Sequence, residues 1–346
     1  MTAQQAAAVQ PVDDRAITSQ PRWKTLLSVN WLWLLALNVG MILLFGALSP
    51  GNVFWSVASL QSLLLNGTET LLLALAITML LGAGLIDISV GANLVLSSVI
   101  GAAAMKALFA AQLPPALSVA TGILVCLLSG MAFGAVNGFI VSTLGVNSLI
   151  TTLGTTGVGT GIALLLTGGT DISGLPPELQ SWFSLNSVLG IPLPGLVAVI
   201  AVVAVWFAFR YTRFGSRTLA IGSSEAAAFR AGIPVKSQIF TLMIIGGLLA
   251  GIAGFVDVSR YTATVVSGHV NDPLAAITAA VIGGSLLEGG RVSVLGTVMG
   301  AALSVILLGG LTVISVSSFW QLVITGVILI FAVAIDRLRY RRRTQL

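Results

Sequence analysis

Long runs of hydrophobic residues fill the chain, and short polar or glycine-rich breaks separate them. A run of about 20 residues, at 1.5 Å per residue in a helix, is long enough to cross a hydrocarbon core of roughly 30 Å. Several breaks fall close together, which indicates short or broken helices among the full-length ones. The breaks predict ten spans, at residues 26–48, 60–83, 89–109, 115–139, 147–167, 191–209, 237–256, 273–286, 293–314 and 318–335.

Composition agrees with an all-α polytopic membrane protein. The chain is 56% hydrophobic and 8% charged, whereas about a quarter of the residues in soluble domains are charged. The long continuous apolar runs exclude a β-barrel. No polar block is large enough to fold separately, so we expect an N-terminal tail at residues 1–25, one transmembrane domain at 26–336 and a basic tail at 337–346.

The charge distribution orients this domain. Residues 210–236 carry five of the 16 cations and are opposed only by Glu225. Ten spans place both termini and 14 of the 16 cations on one side, with only Lys106 and Arg260 on the other. Cytoplasmic loops are enriched in Lys and Arg. We therefore expect cytoplasmic termini, a cytoplasmic 210–236 loop and a plasma (inner) membrane location, with the 168–190 connection outside as a landing surface for a partner.

The 210–236 loop contains the signature of a short helix. Residues 224–234 read SEAAAFRAGIP, with Ser224 as N-cap, Glu225 in the first turn, Arg230 in the last turn, and Gly232 and then Pro234 beyond it. Two turns of isolated helix are marginal in water. The pattern indicates a segment that docks on a soluble partner.

Two glycine-bounded breaks carry an acidic residue and a serine each. Residues 82–91 read GAGLIDISVG and residues 283–291 read GGSLLEGGR. Similar interruptions in two halves point to a weak internal repeat, as in transporters with broken helices. Ser89 is predicted to cap the following helix, and Asp87 is either a structural pin or a group in a solute pathway.

Polar residues also cluster within the second span, where facing lipid would be costly: Asn66, Thr68, Glu69 and Thr70. They either hydrogen-bond a polyhydroxylated solute or pack against a neighbouring helix. Glycines four residues apart predict close helix packing within the chain. Examples are the pairs Gly157 and Gly161, Gly247 and Gly251, and Gly296 and Gly300.

Several kinds of chemistry are disfavoured. The single cysteine, Cys126, allows no intrachain disulfide and is expected to be buried. The single histidine, His269, makes no convincing metal site and is expected to be a solvated loop residue. No lysine follows a glycine, so there is no Walker phosphate loop, and no hydrolase motif is present. The cations are not interleaved with aromatic residues, so nucleic acid is not an expected partner.

Three motifs together resemble one family, the permease subunits of ribose-type (monosaccharide) ABC importers. Residues 84–91 (GLIDISVG), the loop from Tyr211 to Ile233, and residues 279–290 (AAVIGGSLLEGG) are similar to its motifs. Asn137-Gly138 and residues 152–154 extend the likeness. The chain departs from the family pattern at Ser224, where Asn is usual, at residues 147–150, and at residues 273–275.

The resemblance implies a permease for a monosaccharide or similar small polyol, with alternating access driven by a partner ATPase. The rival interpretation is an ion-coupled secondary transporter of a small polar solute. The family's partners would be a cytoplasmic ABC ATPase, a periplasmic or extracellular sugar-binding protein, a second identical or different permease chain, and membrane lipid. ATP and Mg would sit on the ATPase, so no cofactor and no enzyme activity is expected in this chain.

Two sets of candidate residues follow, the first from the charged loop together with the resemblance and the second from the polar interruptions of the spans. The ATPase-coupling set is Arg217, Gly222, Ser224, Glu225, Ala226, Ala227, Phe229, Arg230 and Gly232. The translocation-pathway set is Asn66, Glu69, Asp87 and Ser89.

Overall fold

The computed structural model describes residues 30–188, 190–328 and 330–331, and these residues are overwhelmingly helical. The predicted tails at 1–25 and 337–346 lie outside this range. The helices are α1 Asn30–Leu48, α2 Val57–Gly82, α3 Val90–Ala110, α4 Pro115–Ser142, α5 Ser148–Thr167, α6 Leu193–Tyr211, α7 Arg213–Ser223, α8 Glu225–Arg230, α9 Val235–Tyr261, α10 Asp272–Ile282, α11 Val294–Val313 and α12 Ser318–Ile328.

Three small elements interrupt the helices. Pro50–Trp55 forms a 3₁₀ segment and Gln180–Ser184 a π-helical turn. The two-residue strands β1, Ser187–Val188, and β2, Ile191–Pro192, pair antiparallel, with Ser187 opposite Pro192.

Seven helices of the described chain are long and apolar enough to cross a membrane: α2, α3, α4, α5, α6, α9 and α11. The other three predicted spans fall on shorter apolar stretches, Leu32–Leu48 within α1, Asp272–Ile282 and Ser318–Ile328. The prediction of an all-α, multi-pass membrane protein with short helices is therefore confirmed.

Two helices form the centre of the bundle. In the most apolar windows of α2 and α9, 67% of the residues are buried, against 22% in α5 and α6. The stretch of α2 from Leu72 to Leu81 is almost entirely inaccessible. Helices α5 and α6 therefore lie at the periphery, with their leucine and valine side chains turned outward, as lipid-facing helices do.

Glycines let α4 approach α9 closely. A Cβ atom added at Gly130 would lie 2.5 Å from the carbonyl oxygen of Gly247, and one added at Gly251 would lie 2.5 Å from the carbonyl oxygen of Cys126. The predicted packing role of Gly247 and Gly251 is thus confirmed, as is the burial of Cys126, which is 0% exposed.

The other two predicted glycine pairs differ from each other. Gly296 and Gly300 pack closely against the backbone of α10 and of the residue that follows it. Gly157 and Gly161 of α5 have no described atom within 4 Å of an added Cβ. The first pair therefore packs helices within the chain, and the second does not within the part of the chain that the structure describes.

Candidate functional site

The loop between α6 and α9 is a pair of short helices. Thr212 caps α7 by accepting a hydrogen bond from the Phe214 N–H (3.2 Å), and Ser224 caps α8 by accepting one from the Ala227 N–H (3.3 Å). Gly232 has φ +79°, the left-handed conformation that ends α8. The predicted α8 and its caps are confirmed, whereas α7 was not recognised in the sequence.

Helix α7 is anchored and α8 is free on one side. The Gln238 side chain of α9 donates to the Phe214 carbonyl (3.0 Å) and to Thr218 Oγ1 (2.9 Å), which ties α7 to α9. On α8, Ala228 is buried, whereas Phe229 is 72% exposed.

Most of the remaining coupling residues share the exposed side of α8. Arg217 is half-buried on α7, and the exposed members are Ser224, Glu225, Ala226, Ala227, Arg230 and Gly232. An exposed phenylalanine on a short helix flanked by charges is a ready contact for another protein.

Gly222, at the end of α7, contacts both glycine-rich segments that interrupt the helices, residues 82–91 and 283–291. A Cβ atom at Gly222 would lie 2.2 Å from the Gly82 carbonyl oxygen and 2.5 Å from the Gly290 nitrogen. The Gly290 N–H itself donates to the Gly82 carbonyl (3.1 Å). We call this set the glycine junction: Gly82, Gly222, Gly289 and Gly290.

The two breaks also touch each other directly. A Cβ atom at Gly84 would lie 3.2 Å from the Glu288 carbonyl oxygen, and Gly84 and Gly289 have φ of +72° and +96°. Their pairing was predicted only as a weak internal repeat. The structure shows that the two segments, together with the α7 end, meet at one place through backbone contacts.

The first break is braced by polar side chains. Asp87 Oδ1 accepts hydrogen bonds from the Ser89 N–H (2.7 Å) and hydroxyl, and Ser89 Oγ accepts one from Asn137 Nδ2 of α4 (2.8 Å). Ser89 occupies the N-cap position of α3, but its side chain makes no capping bond, so that prediction is wrong. The hydroxyl is engaged by Asp87 instead.

Helix α5 holds the same break from another side. Ser148 Oγ accepts from the Ile86 N–H and Thr152 Oγ1 from the Ile88 N–H, both at 3.2 Å. These bonds satisfy backbone groups that a broken helix leaves unpaired inside a membrane. Asp87 and Ser89 are therefore parts of a brace in this conformation.

A second polar site lies at the opposite end of α9. Arg260 donates to Asn66 Oδ1 (2.6 Å) and Ser62 Oγ (3.2 Å) of α2, and its Nη1 lies 3.7 Å from Glu69 Oε1. Arg260 also lies over the Tyr261 ring, at 4.8 Å from its centroid. Asn66 and Glu69 thus meet a cation that the sequence had shown only as an exception to the charge asymmetry.

His269 completes this site from the segment between α9 and α10. Its Nδ1 lies 2.6 Å from Asp272 Oδ2 and its Nε2 lies 3.2 Å from Asp257 Oδ1. The histidine side chain is 10% exposed, so the expectation of a solvated loop residue is wrong. We call these residues the outer cluster: Ser62, Asn66, Glu69, Asp257, Arg260, His269 and Asp272.

His269 Nδ1 is hydrogen-bonded to Asp272, whereas Nε2 lies near Asp257 without making a hydrogen bond to it. Two neighbouring carboxylates favour the doubly protonated imidazolium. Burial lowers the pKa of His269, but the carboxylates of Asp257 and Asp272 outweigh burial and raise this pKa to about 10. The residue is therefore a cation throughout the neutral range. Within the described residues, no group of His, Cys, Asp and Glu side chains is arranged to hold a metal ion.

The two sites are far apart. Helix α9 has 27 residues, or about 40 Å at the rise of an α-helix. It begins beside α8 and the glycine junction and ends at the outer cluster. A single continuous helix thus connects the 210–236 loop at one face of the bundle to a charged site at the other.

Comparison with known proteins identifies the kind of protein that this arrangement serves. A family model described as "Branched-chain amino acid transport system / permease component" matches residues 59–333. The chain belongs to this permease family. No solved structure matches it.

The chain matches most of the length of its curated relatives. The D-allose transport system permease protein of Escherichia coli (strain K12) is 32% identical over 86% of this chain and 89% of the relative. The ribose import permease protein of Bacillus subtilis (strain 168) is 34% identical over 80% and 83%. The galactose/methyl galactoside import permease protein of E. coli K12 is 31% identical over 88% and 93%.

These relatives are transport subunits, and the prediction that this permease is a non-enzymatic transport component is confirmed. They also favour an importer permease over the ion-coupled secondary transporter. The family resemblance seen in the three motifs is confirmed.

Five residues of the outer cluster were not predicted as site residues from the sequence: Ser62, Asp257, Arg260, His269 and Asp272. The seventh predicted span ended at residue 256, before the charged residues, whereas α9 continues to Tyr261. Asp257 and Arg260 remain helical because partners from α2 and the 262–271 segment compensate their charges. Charged residues three apart beside an apolar run were the available signal.

Proposed function

We propose that this chain is the permease subunit of an ABC importer for a monosaccharide or similar small polyol. Its relatives are named for D-allose, ribose and galactose transport, which supports a sugar as solute. The importer would lie in the plasma (inner) membrane, with N- and C-termini cytoplasmic, surrounded by lipid. Nucleic acid has no part in this function.

Helix α8 is the proposed contact with a cytoplasmic ABC ATPase, which would bind the ATP and Mg. The observation that carries this proposal is the glycine junction. In it, Gly222, two residues before the Ser224 cap, lies against the backbone of both glycine-rich segments. A push on α8 would therefore reach both broken segments without passing through flexible side chains.

Each coupling residue then has a physical task. Phe229 provides an apolar contact, while Glu225 and Arg230 set the orientation of α8 by charge. Ser224 and Gly232 fix its two ends, and Ala226 and Ala227 keep its exposed side flat. Arg217 on α7 adds a cation beside the same face.

The opposite face is the proposed docking surface for a soluble sugar-binding protein. The connection from residue 168 to 190 lies there with the outer cluster, since the Ile172 N–H donates to Thr264 Oγ1 (2.8 Å) and Asp171 Oδ1 accepts from the Val266 N–H (2.8 Å). A second permease chain, identical or different, would complete the pathway. Asn66 and Glu69 would contact solute, and Asp87 and Ser89 would brace the break that moves between states.

The test is uptake in proteoliposomes that contain the permease with its ATPase and binding protein. Radiolabelled D-allose, D-ribose and D-galactose are assayed in turn, with L-leucine to represent the branched-chain amino acids in the family description. We expect ATP-dependent sugar uptake that a protonophore leaves unchanged. Uptake of none of the sugars, or uptake abolished by the protonophore, would overturn the proposal.

The docking role has its own test. Phe229→Ala should lower the ATPase recovered with the purified permease and reduce uptake roughly tenfold, as truncation of an interface anchor does. Phe319→Ala is the matched control, because Phe319 is 81% exposed on α12. Equal recovery of ATPase with both variants would exclude Phe229 as an anchor.

A further inference from the structure

The outer cluster contains carboxylate oxygens that lack hydrogen-bond donors. Asp257 is 0% exposed, and neither of its carboxylate oxygens accepts a hydrogen bond from the described residues. The same holds for Oε1 of Glu69, a residue that is 6% exposed. Buried polar atoms are nearly always hydrogen-bonded, and unpaired ones inside a membrane protein are costly. These acceptors therefore need an explanation beyond packing.

The unpaired acceptors lie beside two cations, Glu69 next to Arg260 and Asp257 next to His269. Asp257 and Arg260 are three residues apart and so share a side of α9. Arg260 reaches Asn66 and Glu69, which are themselves three apart on α2. Glu69 thus lies at the contact between α2 and α9, and Asp257 lies one helical turn from Arg260 on α9.

Each carboxylate already has a cation close by. Glu69 lies 3.7 Å from Arg260, and Asp257 lies 3.2 Å from the His269 imidazolium. These positive charges would repel a bound metal ion. What the carboxylates lack is neutral donors, and the hydroxyl groups of a polyol are neutral donors that also accept hydrogen bonds from a guanidinium.

The outer cluster is partly exposed. Asp257 is fully covered, but the Arg260 side chain is 14% exposed and the Asp272 side chain 38%. Tyr261, whose ring lies against Arg260, is 50% exposed. The exposed rim therefore lies at the end of α9 that is opposite α8.

We propose that Glu69, Asp257 and Arg260 form a binding subsite for the hydroxyl groups of the transported polyol, and that His269 positions the Asp257 carboxylate within it. This inference rests on the proposed import function. His269 acts as a positioning residue because its second nitrogen is fixed by Asp272, at 2.6 Å, at the start of α10. Its backbone has φ +55°, a conformation that non-glycine residues seldom adopt.

The test measures sugar binding by the purified permease–ATPase complex in nanodiscs without the binding protein. The probe is the radiolabelled sugar that the wild-type importer takes up in the assay above. The variants are Asp257→Asn and Glu69→Gln, each isosteric. The control is Lys106→Gln, which removes an exposed charge on α3 and lies outside the outer cluster.

We expect the wild type and K106Q to bind the sugar equally. D257N and E69Q should bind it roughly tenfold to hundredfold more weakly, the usual effect of losing a hydrogen bond to a charged group. Gel filtration shows whether D257N and E69Q fold, and a binding result from either folded variant is enough to test the inference. H269Q should also weaken binding, whereas H269K should restore part of it because it keeps a cation beside Asp257.

Several outcomes would overturn this inference. Sugar affinity that is unchanged in D257N and E69Q would leave the cluster as a tie between helices. Absence of sugar binding in a wild type that does transport sugar would do the same, and binding of radioactive Na⁺ in place of sugar would make it a cation site. If the complete importer takes up no sugar, the proposed function fails in its own assay and this inference fails with it.

Discussion

The two ends of α9 differ in how their neighbouring segments make contact. Near Val235, the segments of the glycine junction touch through backbone atoms, whereas near Tyr261 the segments of the outer cluster touch through charged side chains. The glycine junction offers no side chain to rearrange, which is the basis of the proposal that a displacement at α8 reaches both broken segments. The outer cluster holds its partners by ion pairs and hydrogen bonds, which a polar solute can exchange for its own. The first arrangement suits mechanical coupling and the second suits recognition.

The largest expected effect comes from a substitution in the glycine junction. Gly222→Ala places a Cβ atom 2.2 Å from the Gly82 carbonyl oxygen. Overpacking costs about 1–3 kcal/mol, and here it would force apart the segments that must move together, so we expect uptake to fall roughly tenfold or more. ATP-driven uptake is the measurement.

Gly161→Ala is its control, since no described atom lies within 4 Å of an added Cβ there. The two glycines differ in surroundings and not in chemistry. If both variants transport sugar at the wild-type rate, the junction does not carry the coupling motion.

The second prediction acts on the charged end. Arg260→Gln leaves Glu69 without its cation and removes the strongest donor to Asn66. We expect a loss of about 1–3 kcal/mol of stability, measured as a lower thermal midpoint of the purified protein. Lys106→Gln, at an exposed position of α3, should leave the midpoint unchanged.

A double variant sharpens this prediction. Adding Glu69→Gln to Arg260→Gln removes the uncompensated carboxylate, so part of the lost stability should return. Strictly additive effects of the two substitutions would show that Arg260 and Glu69 do not stabilise one another across α2 and α9.

The contrast between the ends also explains what the sequence revealed. The α8 helix was predicted with its caps, because capping is local and Ser224, Glu225 and Gly232 lie within a few residues of one another. The outer cluster was not, because Arg260 and Asn66 are separated by 194 residues. No periodicity links such positions. His269 was misread for the same reason, since its two carboxylate partners become neighbours only after the chain folds back beside α9.

The glycine junction lies between these cases. All three of its segments were recognised as motifs, and two of them as a weak repeat, but nothing in the sequence placed them in contact. Gly222 has no side chain, so its pairing with Gly82 leaves no chemical signal other than the glycine itself. Local stop and start signals were readable, and the long-range packing was not.

A smaller effect concerns pH at the charged end. The pKa of His269 is raised to about 10 by Asp257 and Asp272 despite burial, so the imidazolium contributes stability. That contribution is fully present below the pKa of an unfolded histidine, about 6.5, and is lost as pH rises through about 10. Arg260 and Glu69, which lie 3.7 Å apart, also belong to this site.

The check is the thermal midpoint of wild type and His269→Gln across neutral to alkaline pH. The difference between the two proteins should shrink as pH approaches 10, because the wild type loses what the variant never had. Using the difference cancels the titration of lysines and tyrosines elsewhere. A difference that stays constant with pH would mean that His269 is uncharged in the folded protein.

The smallest expected effect concerns the N-cap of α8 in the 210–236 loop. Ser224 accepts one hydrogen bond, from the Ala227 N–H, at an exposed helix end. Ser224→Ala should cost about 1 kcal/mol of local helix stability, whereas Ser224→Asn should be nearly neutral because Asn is an equally good N-cap. The measurement is sugar taken up per ATP hydrolysed, which should fall modestly in the first variant alone. Loss of coupling in S224N as well would mean that the ATPase contacts the serine side chain directly. The backbone shape of α8 would then not be enough to explain coupling at this end of α9.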